Sequence, residues 1–167
     1  LINSLEDIKI DVSILDKSVI KECHMPVERV DLSEWIAIIT HIKRWVTNLV
    51  RAKSERKKQS KEALRAVIKA VRETAIYLRI LREGRPKSIA RERKLSLLWT
   101  ELSFRIEDLG LKKLASRCSI MGRYWTDPTA FSIDLIQGTD IGPLVDIEKL
   151  AYASLKAQRK YQKRDFL

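Results

Sequence analysis

Chemistry near neutral pH most often rests on histidine or cysteine, and this sequence has two of each: His24, His41, Cys23 and Cys118. Cys23, His24 and Met25 are consecutive, and thiolate, imidazole and thioether are soft ligand types that suit copper or zinc. Adjacent side chains rarely aim at one ion, and no further ligand set accompanies these three, so no metal site is expected. His41 stands beside the apolar stripe of a predicted helix, one turn before Trp45, a position that reads as structural. A cysteine nucleophile needs a base within hydrogen-bond reach, and nothing in the sequence ties Cys23 to His41. Cys118 falls on an apolar face and reads as core. Glu73, Glu101 and Glu107 sit off the apolar stripes, and the Glu-x-x-His pairs of di-metal bundles do not occur. There is no phosphate-binding loop, dinucleotide fingerprint or nucleophile elbow. The sequence therefore predicts a protein that works by binding, with no catalytic residue and no cofactor.

Positive charge is what the chain has in quantity. Against 22 acidic residues stand 33 Lys and Arg, for a net charge of +11. Such an excess favours an anionic partner: nucleic acid, an acidic protein face or anionic lipid. The densest run is RAKSERKKQSK, Arg51 to Lys61, with six basic residues and one Glu. A second basic stretch, Lys156, Arg159, Lys160, Lys163 and Arg164, ends the chain, and a third gathers Arg82, Arg85, Lys87, Arg91, Arg93 and Lys94. Any one such run is usually a solvated helix face. The third run also holds Glu83 and Glu92, so internal pairing is expected there. No zinc-finger spacing, RNA-recognition consensus or Gly-rich clamp loop accompanies the charge, so phosphate contact rather than base reading is the expected mode.

The elements that must carry these residues are helices. No Gly or Pro interrupts the chain from Val27 to Glu83, and apolar residues recur there at helical spacing. One stripe runs Trp35, Ile38, Ile39, Ile42, Val46, Leu49 and Val50, with Asp31 or Ser33 as its start; Trp45 is offset from it, with core packing its default place and an exposed ring the alternative. It stops at Ala52 and resumes at Leu64, Val67, Ile68, Val71, Ala75, Leu78 and Leu81. A single helix across both would be roughly 80 Å long, too long for a compact domain of this size. A turn is therefore placed near Lys53–Ser60. Gly84 and Pro86 stop the second helix, Lys87 or Ser88 opens a third with Ile89, Leu95, Leu98, Trp99, Leu102 and Ile106 inward, and Gly110 ends it. A fourth runs from Leu111 to Tyr124, and a short helical piece is expected after Asp127-Pro128. Gly138 to Pro143 reads as a loop before a last helix whose inner face is Leu144, Ile147, Leu150, Ala151, Ala153 and Leu155.

Residues 1–26 are different: Ile8, Ile10, Val12 and Ile14 alternate with polar neighbours, which predicts an extended segment that lies on the bundle or pairs with another chain. The fold expected is all-α, an antiparallel up-down bundle of about five helices: a four-helix unit over 27–126, a turn and loop at 127–142, and a C-terminal helix with a basic tail at 143–167. No apolar run approaches the ~20 residues of a membrane span. Two cysteines far apart suggest free thiols in a reducing, cytoplasmic setting, and Glu6 and Asp7 are unlike a signal peptide.

Topology then makes a specific prediction. With short links, the turns at 53–60 and 109–111 share one end of the bundle, and the last helix returns its basic tail to that end. Arg51, Lys53, Arg56, Lys57, Lys58 and Lys61 would then meet Lys156, Arg159, Lys160, Lys163 and Arg164 as one anion-binding tip. The expected role is a basic scaffold or adaptor, with nucleic acid ahead of an acidic protein surface. The competing expectation is a protein-interaction subunit of a complex or homo-oligomer, joined through residues 1–26 and without a nucleic-acid role.

Overall fold

The computed structural model of the chain describes residues 32–127 and 137–164, with the side chains of the last helix described as far as Arg159. The expected extended segment, the Cys23-His24-Met25 triplet and the short helical piece after Pro128 lie outside the described residues. Among the described residues six helices follow one another: α1 (Leu32–Val50), α2 (Ser54–Gln59), α3 (Lys61–Arg82), α4 (Ile89–Asp108), α5 (Lys112–Tyr124) and α6 (Gly142–Arg164). The architecture is all-α, with the helices packed around one core.

The punctuation is where local chemistry puts it. Gly84 and Gly110 both adopt φ of +75°, the left-handed conformation that costs a side chain but not glycine. Behind each, the next residue's N–H reaches five residues back, Arg85 to the Ile80 carbonyl and Leu111 to the Ile106 carbonyl, which closes a Schellman motif. Ser88 caps α4, its hydroxyl accepting from the Arg91 N–H at 3.4 Å. The region expected as a plain turn, Lys53–Ser60, instead holds α2, a six-residue helix with no buried residue of its own. The missing apolar stripe was a correct sign that the long helix breaks there. It did not show that the break is itself helical. Pro143 lies in the first turn of α6, at the helix start the sequence offered, where its absent N–H costs nothing.

The C-terminal helix packs closely on both α1 and α3, which do not make a close backbone contact with each other. A tight turn would have made α1 and α3 immediate neighbours; the α2 spacer leaves room for α6 between them. Its direction is fixed by three polar contacts. Lys43 pairs with Asp146 at 3.2 Å, Arg72 with Glu148 at 2.6 Å, and the Gln158 amide donates to the Lys57 carbonyl at 2.7 Å. Thus α6 runs parallel to α1 and antiparallel to α3. Its buried positions are Leu144, Ile147, Ala151, Ser154 and Gln158, a 3-4-3-4 spacing that suits a helix covered from two sides. Ala153, expected inside, is exposed.

Two-sided cover also explains Trp45. It is offset from the stripe but packs in the core, only 9% exposed, because α1 is flanked by α5 as well as α6. Ile89 goes the other way: it continues the α4 stripe in sequence but is 78% exposed at the helix start. The closest helix pair is α4 and α5. Gly122 permits this approach, since a Cβ there would lie 2.5 Å from Thr100 Oγ1 and 3.3 Å from the Ser96 carbonyl oxygen. Ser103 adds a hydrogen bond to the Ala115 carbonyl at 3.0 Å.

Candidate functional site

The two basic segments meet. Arg51 and Lys53 occupy the α1–α2 connection, Arg56, Lys57 and Lys58 stand on α2, and Lys61 opens α3. Lys156 and Arg159 lie on α6 on either side of Gln158, whose side chain is tied to the backbone of Lys57. Lys160, Lys163 and Arg164 continue the α6 backbone beyond that contact. Lys57 and Lys61 are half-buried, and the other described members are exposed. Among the described residues none of Arg51, Lys53, Arg56, Lys57, Lys58, Lys61, Lys156 and Arg159 takes part in an ion pair. The two acids of this region are engaged locally: Glu62 pairs with Arg65 at 2.6 Å, and Glu55 accepts from Gln59 at 3.5 Å. Part of the charge on α2 has a structural use, because Arg56, Lys57 and Lys58 in its last turn oppose the negative end of the helix dipole.

The 109–111 turn lies at the same end. A cleft of about 600 Å³ opens between α1, α2 and the start of α5, with Arg56 on one wall and Gly110 to Leu114 on the other. Its cationic side chains are Arg44, Arg56, Lys112 and Lys113, and among the described residues no carboxylate lines it. Trp45, Leu49, Leu111 and Leu114 supply the apolar part, and Asn48 and His41 complete it. Lys112 and Lys113 occupy the first turn of α5, where the helix dipole is positive, with no acidic residue and no side-chain cap to offset them. Like charge at a helix N-terminus is unfavourable by some tenths of a kcal/mol upward. Arg117, one turn further along α5, has its Nη1 buried without a hydrogen-bond partner. The cationic field reaches His41, whose pKa lies below its ordinary value, first through burial and then through the Arg117 and Arg44 guanidiniums, against an opposing pull from Glu34.

Sequence reasoning located this end but missed most of the cleft. Arg44 follows Lys43 on an amphipathic helix, and Arg117 stands apart from the basic runs, so neither stands out. The one available signal was Lys112-Lys113 just after Gly110-Leu111, beside a turn already assigned to the same end.

The third basic run behaves differently. Lys94 pairs with Glu73 at 2.8 Å, and Arg85 lies 3.9 Å from Glu83. Glu92 was expected to join this pairing but is buried, accepting from the Tyr77 hydroxyl at 2.8 Å. That hydroxyl also accepts from the Ser88 N–H at 3.0 Å, fastening the 84–88 link to the core. Burial, the main cause, together with the Glu92 carboxylate pushes the Tyr77 pKa up to about 12. Cys118 is fully buried, its thiol pushed up to about 12 by burial, which removes it as a nucleophile. Among the described residues no group of three or more His, Cys, Asp or Glu could hold a metal ion, and no helix is long and apolar enough to cross a membrane.

No protein-family model matches this chain, and neither a curated protein nor a solved structure is significantly similar to it.

Proposed function

We propose that the protein is a non-enzymatic helical scaffold or adaptor that binds an anionic partner through its basic end, with nucleic acid the preferred partner. The observation that carries this reading is the meeting of Lys57 and Gln158. It joins two basic segments a hundred residues apart while their described cations stay without ion pairs. Cations gathered without counter-charges repel one another, and phosphate groups relieve that repulsion while releasing condensed counterions. Exposed Lys and Arg on short, separate elements suit phosphates along a backbone better than base edges in a groove. The two widely spaced cysteines, with Cys118 buried and free, fit a cytoplasmic protein.

The test is a binding titration with mixed-sequence DNA and RNA at low salt, repeated as salt rises. Affinity should fall log-linearly with salt, and the slope should shrink by about one for each phosphate contact removed. The variant set is R56E, K57E and K58E, then K160E and K163E. A flat titration at low salt, or variants that bind as the parent does, removes the reading.

A second reading rests on a different face. Leu97 and Phe104 are 61% and 57% exposed and lie two turns apart on one side of α4. Such a pair suits a protein partner in a complex or homo-oligomer. Sedimentation of the parent and of L97Q/F104Q separates the readings, since only the interaction-subunit reading expects a discrete oligomer that the substitutions dissolve.

A further inference from the structure

We infer that the cleft between α1, α2 and α5 seats one unstacked nucleotide, so that the basic end prefers single-stranded nucleic acid to duplex. This rests on the reading that the partner is nucleic acid, and it concerns residues outside the two basic runs that carry that reading, Arg56 excepted.

The cleft combines two properties that a surface made only to follow phosphates does not need. It is concave, and at about 600 Å³ it lies within the range of about 300–1,000 Å³ usual for small-ligand sites. It is also two-sided in chemistry, with Trp45, Leu49, Leu111 and Leu114 as an apolar wall and Arg44, Arg56, Lys112 and Lys113 as cations. A ligand that satisfies both has a flat or apolar body and an attached anionic group. A nucleotide is such a ligand: the base enters against the apolar wall and the phosphate stays with the cations. Trp45 is only 9% exposed, so it offers an edge to the base rather than a full stacking face. Asn48 is exposed at the cleft, and its amide can both donate to and accept from a base edge.

The electrostatics ask for the anion. Lys112 and Lys113 stand at the positive end of α5 with no acidic residue in its first turn, and among the described residues no carboxylate lines the cleft. Arg117, with Nη1 buried and unpartnered, adds positive charge behind His41. A bound phosphate offsets all of these at once.

Shape then selects strandedness. In a duplex the bases are stacked and paired, and a concave site cannot take one without paying to extrude it. A single strand presents unstacked bases freely. Charge alone works the other way, because duplex DNA has the higher charge density and the steeper counterion release. A preference for single strands is therefore a signature of the cleft and not of the net charge.

The experiment compares a short oligothymidylate with a duplex of the same phosphate count, both labelled, at one fixed salt concentration. Two double substitutions remove equal charge: K112Q/K113Q in the cleft and K57Q/K58Q on α2. Circular dichroism checks that each remains folded. The single strand should bind the parent about tenfold more tightly, the size of one favourable base contact. K112Q/K113Q should abolish that ratio while retaining duplex binding, and K57Q/K58Q should weaken both ligands alike. A measurement on the parent alone covers the case where a variant misfolds. Thymidine 5′-monophosphate should shift the His41 and Trp45 indole resonances at concentrations where inorganic phosphate does not. Equal binding of strand and duplex, equal effects of the two substitutions, or equal shifts from inorganic phosphate would each overturn the cleft proposal and leave the nucleic-acid reading standing. Absence of binding to either ligand would overturn both.

Discussion

The Gln158 amide donates to the carbonyl of Lys57 at 2.7 Å, linking residues 101 positions apart in sequence. Gln158 is 9% exposed, and α2 has no buried residue of its own, so this bond is a principal anchor of the short helix to the bundle. Replacing Gln158 with Ala should destabilise the fold by about 1 kcal/mol, the usual net value of one such hydrogen bond. The larger effect should be local. Amide exchange over residues 54–59 should accelerate while that of α4 stays slow, and equal protection of α2 in parent and variant would refute the anchoring role.

Helix α5 can lie close to α4 because position 122 has no side chain. In Gly122→Ala the new methyl would meet Thr100 Oγ1 at 2.5 Å and the Thr100 backbone nitrogen at 3.2 Å. Alanine gains up to about 1 kcal/mol in helix propensity. Overpacking against backbone costs about 1–3 kcal/mol, so the steric cost should win. Adding Thr100→Ala removes the nearest contact but not the backbone one, so rescue should be partial. Urea midpoints of the parent, the single variants and the double variant give the comparison.

Trp99 is fully buried, and its indole N–H donates to the Thr74 hydroxyl at 3.0 Å, which donates in turn to the Ala70 carbonyl at 2.7 Å. Thr74→Val keeps the shape and leaves the indole without an acceptor. The loss should be about 1–3 kcal/mol, the cost of an unsatisfied buried donor. Thr74→Ser keeps the hydroxyl and should recover most of it, as read by chemical denaturation.

His41 gives the pH prediction. Its folded pKa is lowered from 6.5, so the folded state holds this proton less tightly than the unfolded chain does. Its contribution to stability is then full above about 6.5 and is lost as pH falls from there through the folded pKa. The groups acting on it are Arg117 from α5 and Arg44 and Glu34 from α1. Arg117→Gln should raise the pKa towards the ordinary value, and Glu34→Gln should lower it further. A histidine-resolved NMR titration reads both, and an unchanged value in Arg117→Gln would show that Arg117 takes no part in the shift.

Chain punctuation was legible residue by residue. Gly84 and Gly110 mark helix ends because only glycine enters the left-handed region cheaply, and Ser88 marks a start because its hydroxyl accepts a free N–H. The break after Val50 was visible as a lapse of the apolar stripe, whereas α2 within it was not, since a helix that buries nothing leaves no periodic trace. The basic runs and their shared end followed from short links. Trp45 was left between core and solvent because periodicity describes a helix covered from one side, and α1 is covered from two.

The sequence by itself determined where the long helices break, which residues are apolar enough to be core, and that the molecule is strongly basic. These are properties of neighbouring residues, settled over one or two turns of chain. Only the tertiary structure decided that α6 lies between α1 and α3, and that Arg44 and Arg56 face Lys112 and Lys113 across a cleft. Helical periodicity says which face of a helix is buried, but not what buries it. That choice depends on how all six helices fill space together.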